Sequence, residues 1–180
     1  NVTKMDNMFE QCQNLITMPA INTSKVTNMS KMFYYCSKIT SIPQMDTSNV
    51  TDMNTMFQNC SKLISVPQLD ASKVINVSAM FNACPQLTDF GGLKDLGKAF
   101  TVKKNANANY KLLVSASSNL THDSLMNVIN NLYDLNLTYD VANGGTLYRQ
   151  KVAVGTTNLA KLSEEEIAIA TNKGWDIISY

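Results

Sequence analysis

VTDMNTMFQNCSKLISVPQLDASK, residues 50–73, is one copy of a pattern that recurs with a 24-residue period in the first half of the chain. The consensus is V-T-x-M-x-x-M-F-x-x-C-x-x-L-x-x-[IVM]-P-x-[LMI]-[DN]-x-S-x, and about four copies occupy residues 1–93. A fixed period of roughly 20–50 residues is typical of proteins in which each repeat buries its apolar side by stacking on its neighbours. The sequence therefore predicts a solenoid, and the 24-residue period falls in the range of leucine-rich repeats.

Each repeat is predicted to contain a short strand and a return path. Residues 63–69, LISVPQL, suit a strand of a parallel ladder, with Leu63, Val66 and Leu69 pointing inward. The return path would direct a second set of apolar residues inward, namely Val74, Val77, Met80, Phe81 and Cys84. Their spacing indicates a short 3₁₀ or α turn rather than a second strand.

The four cysteines, Cys12, Cys36, Cys60 and Cys84, are evenly spaced and follow the same 24-residue period. Equivalent residues of stacked repeats point the same way, and cysteine is a compact apolar filler of a core. A disulfide needs side chains that converge on each other, which parallel in-register neighbours do not offer. We expect four free, buried thiols, with disulfides and metal binding as the alternatives.

The second half of the chain, residues 94–180, lacks the 24-residue period and is predicted to consist of larger, helix-bearing repeats. Strands are predicted at residues 111–117, 151–155 and 175–179, and residues 137–141 with 147–154 form a possible antiparallel hairpin. A helix over residues 124–133 follows the N-cap Thr121, and a second helix follows the capping box from Ser163 to Glu166. We expect these repeats to continue and close one solenoid whose first part is residues 1–93. Because Asn1 falls in the middle of a repeat, we expect either a fragment of a longer protein, which we favour, or an open first repeat.

Composition excludes several classes of function. Fifteen basic and fourteen acidic residues give a net charge of +1, which argues against the basic field of a nucleic-acid-binding protein. No apolar run approaches the ~20 residues of a transmembrane helix. The single histidine, His122, lies at a predicted helix start, and Glu164–Glu166 are explained by helix capping. We therefore expect no catalytic site, no cofactor and no metal.

The string from Thr47 to Leu63, TSNVTDMNTMFQNCSKL, closely resembles the repeat of BspA-like leucine-rich-repeat surface proteins, written around D-T-S-x-V-T-x-M-x-x-M-F-x-x-C-x-x-L. The resemblance is dense over residues 1–93, and the helix-bearing tail is similar to the C-terminal repeats of the same proteins. It implies a secreted or surface-displayed bacterial protein, and some members of that family are adhesins for host matrix proteins or other cells. The chain departs from the family at residues 89–92, DFGG, where the proline column fails.

Candidate partner-binding residues are those that the repeat directs outward. If Val66 points inward, the neighbouring strand positions face solvent, and the expected contacts are Ser41, Pro43, Ser65 and Pro67. The return path exposes one aromatic pair, Tyr34 and Tyr35, and aromatic residues are favoured in binding hot spots. The sequence thus predicts a non-enzymatic module that recognises a host or bacterial surface protein or polymer. The alternatives are a structural spacer that displays another domain and, less favoured, an enzyme.

Overall fold

The computed structural model describes residues 2–100, 111–135 and 149–179, which contain seven short strands, three α-helices and one 3₁₀ helix. Residues 137–141 and 147–148 of the predicted hairpin lie outside these residues, and the antiparallel prediction is wrong for the rest, because Gln150–Ala153 pairs in parallel with a strand on each side. The elements in chain order are β1 (Ser65–Val66), β2 (Leu69–Asp70), β3 (Asp89–Phe90), β4 (Leu93–Lys94), the 3₁₀ helix (Lys98–Phe100), β5 (Lys111–Leu113), α1 (His122–Asn130), β6 (Gln150–Ala153), α2 (Thr156–Leu159), α3 (Glu164–Asn172) and β7 (Trp175–Ile178).

Consecutive repeats lie side by side with equivalent residues in register. Isolated parallel bridges join Lys4 to Asn28, Asn28 to Asp52, Asp52 to Asn76 and Ser41 to Ser65. The same offset continues where β1 pairs with β3 and β2 pairs with β4, both parallel. Every consensus column is therefore placed next to itself in the adjacent repeat. This register is the one that a solenoid of 24-residue repeats requires. The solenoid fold class itself stays a prediction.

The predicted strand over residues 63–69 is wrong in its extent. The structure divides it into β1 and β2, two residues each, on either side of Pro67 and Gln68. Proline carries no N–H group and so cannot donate to a ladder at that point. The inward residues were predicted correctly, because Leu63, Val66 and Leu69 are all buried.

The return path is a series of tight turns closed by hydrogen bonds between residues three apart, the bond type of the predicted 3₁₀ turn, and these turns do not join into a helix. Alternate N–H groups close turns within the repeat, as Met56 N–H does on the Met53 carbonyl at 3.2 Å. The N–H groups between them donate to the next repeat, as Phe57 does to Met80 O at 3.0 Å. To alternate in this way the backbone adopts positive φ twice per repeat, at 52° for Thr55 and 63° for Asn59. These left-handed residues prevent a continuous helix.

The core of the repeats is built from the columns that the consensus keeps. Phe33, Phe57 and Phe81 are fully buried, and with Phe9 they form a stack whose successive ring centroids are 5.5, 5.4 and 5.5 Å apart. Phe90 ends the stack by packing edge-on against Phe81 at 4.7 Å. The period of the sequence thus becomes a continuous aromatic column.

Two glycines mark the junction with the second half, and the first of them replaces the proline column. A Cβ on Gly91 would overlap the backbone nitrogen of Gln68, and a Cβ on Gly92, where φ is +90°, would lie 2.7 Å from the Asn127 carbonyl oxygen of α1. Gly91 N–H also donates to Val66 O at 2.9 Å, a bond that proline could not make. Both residues are glycine because the backbone approaches the preceding repeat at one and α1 at the other too closely for a side chain.

The second half forms a parallel sheet in the order β5-β6-β7, with α1 packed against β3 and α3 packed against α1 and β7. Thr121 caps α1 and the capping box of Ser163 with Glu166 begins α3, both as predicted. The first helix spans His122–Asn130 rather than 124–133. A helix begins at the residue after its N-cap, so the cap at Thr121 makes His122 the first helical residue. The short helix α2 was not predicted. Within the three described ranges, no helix combines the length and apolarity needed to cross a membrane. The division at residue 93 stays a prediction.

Candidate functional site

The outward strand positions form one continuous strip. Ser41 and Ser65 are bridge partners in adjacent repeats, and Ser65 is in register with Asp89. Both serines, and Pro43 and Pro67 beside them, are partly exposed. All four side chains are therefore accessible to a partner, although none of them is fully exposed to solvent.

A hydrophobic side chain on this strip was missed by the sequence analysis. Ile64 precedes Ser65 and is 48% exposed, so it adds an apolar contact to a strip of hydroxyl and proline groups. Leu63 and Val66 on either side are buried, whereas Ile64 is exposed and Ser65 is partly exposed. The spacing of the inward columns was the signal that could have identified it.

The tyrosine pair lies in the turns of the second repeat. Tyr34 is half-buried and Tyr35 is 43% exposed, and their ring centroids are 5.8 Å apart with the rings tilted by 54°. Equivalent positions in the flanking repeats hold Glu10–Gln11 and Gln58–Asn59. An aromatic surface of this kind can stack on an apolar side chain or on the face of a sugar ring, and its hydroxyl groups can hydrogen-bond.

The backbone of Tyr35 is in a conformation that aromatic residues rarely adopt. Its φ is +62°, because Tyr35 N–H must point across to the Gln58 carbonyl at 2.9 Å. The left-handed region costs a non-glycine residue roughly 1–2 kcal/mol, and asparagine tolerates it best. Asn59 occupies the same column at φ +63°. Tyr35 is therefore a poor choice for local stability, and residues of this kind are enriched at functional positions.

A polar groove of about 370 Å³ lies beyond the strip and was also missed by the sequence analysis. Its lining residues are Gln44–Ser48, Gln68, Asp70 and Lys94. Hydrogen bonds from the hydroxyl and N–H of Ser48 lower the pKa of the Asp46 carboxyl. Positions 46, 70 and 94 are one column of the 24-residue register, which is the signal that could have brought these charged residues together.

Three of the four thiols are buried as predicted, and the prediction for Cys12 is wrong. Burial raises the pKa of Cys36 to about 11 and that of Cys84 to about 12, and it raises that of Cys60 well above its usual range. Each of these thiols donates to a phenylalanine carbonyl of the preceding repeat, as Cys60 does to Phe33 O at 3.1 Å. Cys12 is exposed because the first repeat has no preceding neighbour among the described residues. All four are free, with no disulfide between them.

The single histidine joins the N-terminal ends of two helices. His122, the first residue of α1, places Nε2 2.8 Å from Oε1 of Glu166 in α3. The other oxygen of Glu166 accepts from Ser163 N–H, and these bonds lower the pKa of the Glu166 carboxyl. His122 and Glu166 therefore fasten α1 to α3. The hydroxyl of Ser163, which lies beside them, accepts from Glu166 N–H at 3.2 Å as the N-cap of α3.

Comparison with known proteins gives one family. A protein-family model described as "Mycoplasma protein of unknown function, DUF285" matches residues 1–118, about two thirds of the chain. No curated protein and no solved structure matches the chain.

Proposed function

The chain belongs to the DUF285 family, and from this we propose that it is a leucine-rich-repeat solenoid of the BspA type, displayed at a bacterial surface, that recognises a host or bacterial protein or polymer without catalysis. The 24-residue register of the bridges and the resemblance of the repeat to BspA-like proteins support this proposal. The single observation that carries recognition is Tyr35, which is exposed although the backbone there disfavours an aromatic residue.

The division between inward and outward columns also supports recognition. The buried columns, such as Phe33, Phe57 and Phe81, are nearly identical from repeat to repeat and leave no room for specificity. The exposed columns differ between repeats. In the two columns that contain Tyr34 and Tyr35, the other three repeats have no aromatic residue. A surface that varies on a constant frame can distinguish partners, and large aromatic side chains are enriched among residues that carry binding energy.

The experiment is a binding screen followed by paired substitutions. The purified chain is presented to immobilised host matrix proteins and bacterial surface polymers, and affinity is measured for each partner found. The double variant Tyr34→Ala with Tyr35→Ala should weaken binding by roughly 30-fold or more, equivalent to about 2 kcal/mol. The matched control, Gln58→Ala with Asn59→Ala, alters the same columns one repeat away and should leave affinity within about threefold.

The strand strip gives a second test of the same proposal. Ser41→Arg with Ser65→Arg adds two bulky cations to adjacent repeats where both side chains are partly exposed. If the partner covers the strip, this variant loses binding while its melting temperature is unchanged. If neither double variant alters binding to a confirmed partner, the proposed contact residues are wrong.

The alternative is a structural spacer that displays another domain. A spacer requires stacking, which the aromatic column supplies, but it does not require Tyr34 or Tyr35. Absence of binding across the whole screen, with full tolerance of both double variants in a surface-display assay, would favour the spacer over recognition.

A further inference from the structure

Tyr34 and Tyr35 belong to a row of side chains that crosses the turn segments of the repeats. Taken repeat by repeat, their two columns contain Glu10–Gln11, Tyr34–Tyr35, Gln58–Asn59 and Asn82–Ala83. Backbone hydrogen bonds between repeats keep the columns aligned, and in one of them Asn59 N–H donates to Asn82 O at 2.9 Å. All of these residues are exposed or partly exposed. We call this row of side chains the turn face.

The amide side chains of the turn face are not used to hold the repeats together. Elsewhere an amide does join two repeats, because Asn49 Nδ2 donates to Ser24 O at 2.8 Å. In the part of the chain that the structure describes, the side-chain amides of Gln58, Asn59 and Asn82 take part in no hydrogen bond. An amide offers both a donor and an acceptor, so the turn face presents both kinds of group to a partner.

A partner that covers the turn face must satisfy these amides and also offer carbon atoms to the two rings. An apolar patch of another protein would pack on Tyr34 and Tyr35, but it would leave each amide that it covers without a hydrogen bond, which is unfavourable. A sugar meets both demands. Its hydroxyl groups donate and accept as amides do, and the C–H groups on one face of a pyranose ring pack against the face of an aromatic ring.

The charges near the turn face are few and of both signs. Glu10 is the charged residue of the two columns, and Lys31 lies three positions before Tyr34. Lys38, on the other side of the pair in sequence, donates from Nζ to Asn14 Oδ1 at 2.9 Å. An anionic polymer is held by a run of basic side chains along its path, which this face does not provide. The ligand that fits it is therefore uncharged.

The spacing of the repeats suits a chain of sugars. The stacked phenylalanine rings place successive repeats 5.4–5.5 Å apart. This distance is close to the length of one pyranose unit in an extended β-1,4-linked polysaccharide. A chain that lies along the turn face thus brings successive sugars over successive repeats, with the rings of Tyr34 and Tyr35 under one part of it and amides under its neighbours.

We propose that the turn face binds an uncharged, extended polysaccharide, with pyranose rings packed on Tyr34 and Tyr35 and the flanking amides bonded to sugar hydroxyl groups. This inference rests on the proposed recognition function and names the chemical class of its ligand. The two rings supply most of the affinity. The amides contribute less because each bond to a sugar replaces a bond to water, and their role is to accept a hydroxyl-rich ligand and disfavour an apolar one.

The test is isothermal titration calorimetry of the purified chain with neutral β-1,4-linked hexasaccharides of glucose, mannose, galactose and N-acetylglucosamine. Heparin is the anionic comparison. Tyr34→Ala with Tyr35→Ala removes both rings, and Tyr34→Phe with Tyr35→Phe removes only the hydroxyl groups. Alanine suits this backbone, because Ala83 occupies the column of Tyr35 at φ +57°. An unchanged melting temperature verifies that each variant is folded.

We expect at least one hexasaccharide to bind and the disaccharide of the same sugar to bind about tenfold more weakly, because it covers fewer repeats. The affinity should change by less than about twofold between roughly 0.05 and 0.5 M NaCl, since salt screens only charged contacts. The alanine variant should bind roughly 30-fold more weakly, whereas the phenylalanine variant should stay within about fivefold of the wild type.

The contrary results separate this inference from the recognition function on which it rests. If no hexasaccharide binds but a matrix protein from the binding screen does, and that binding requires the tyrosine pair, the polysaccharide is wrong and recognition stands. Binding of heparin alone would mean that the ligand is anionic, and equal binding of a hexasaccharide to wild type and to the alanine variant would mean that the site lies elsewhere. Either result overturns the proposal. If neither the hexasaccharides nor any partner in the screen binds, the recognition function fails as well.

Discussion

Replacing Phe57 with alanine should be among the most destabilising single changes in the repeats. The ring is fully buried, and it is stacked between Phe33 at 5.4 Å and Phe81 at 5.5 Å. Truncating a buried phenylalanine costs about 3–5 kcal/mol from lost burial and the cavity left behind. Each aromatic contact adds about 0.5–1.5 kcal/mol beyond burial, so loss of two places the expected cost in the upper part of that range.

Phe9 provides a matched control within the same column. It makes one ring contact, to Phe33 at 5.5 Å, and it is only partly buried. Phe9→Ala removes the same atoms, yet it should cost about 1–3 kcal/mol because part of the ring already contacts water and it has one ring neighbour instead of two. The comparison therefore isolates the contribution of the second neighbour.

The assay is urea unfolding followed by far-UV circular dichroism, with the free energy of unfolding obtained by linear extrapolation. Phe57→Leu is included in case the alanine variant does not fold, and it should fall between wild type and Phe57→Ala. The reasoning would be refuted if Phe9→Ala and Phe57→Ala lowered the free energy of unfolding by amounts that agree within about 0.5 kcal/mol. A ring with two stacked neighbours must contribute more than a ring at the end of the column with one.

Three further predictions concern the thiols, the glycine junction and the acid stability. Under native conditions at pH 8 only Cys12 should be alkylated, and the buried thiols, whose pKa values are raised, should react only after unfolding; a protein mass low by two hydrogens would instead indicate a disulfide. Gly91→Pro, although it restores the consensus, should lower the melting temperature and cost roughly 2 kcal/mol or more, since it removes the bond to Val66 and meets the Gln68 backbone; an unchanged melting temperature would contradict this. The pKa of Glu166 is lowered in the folded state, so the stabilisation from its ionised form is present above the unfolded-state pKa and is lost as the pH falls through the folded-state pKa. Glu166→Gln should therefore flatten the decline of the urea midpoint between pH 7 and pH 3, whereas Glu165→Gln, an exposed neighbour, should leave that decline as in the wild type.

The sequence predicted the candidate surfaces only in part. Tyr34, Tyr35, Ser41 and Ser65 were expected to face outward, and all four have solvent exposure. Exposure of Ile64 and the groove at Asp46 were not anticipated. The groove depends on how two repeats align across the register, whereas the consensus describes one repeat at a time. The exposure of Ile64 could have been read within one repeat, from the spacing of the inward columns.

The sequence by itself determined which side of each repeat is buried and which residues cap α1 and α3. A buried column must hold an apolar residue in every copy, so the 24-residue period carries that information directly, as Phe33, Phe57 and Phe81 show. The N-caps Thr121 and Ser163 were equally readable, because a cap bonds to a nearby backbone N–H in the first turn and needs no distant partner.

Only the tertiary structure decided the burial and backbone conformation of residues whose neighbours belong to another repeat. Met8 and Cys12 are the same residue types in the same columns as Met32 and Cys36, yet Met8 and Cys12 are exposed. Burial in these columns comes from the neighbouring repeat and is not a property of the residue type. The positive φ of Tyr35 likewise arises from the need to reach the Gln58 carbonyl, which belongs to the next repeat. A repeated sequence specifies identical units, and it is the contacts between the units that make the first one different from the rest.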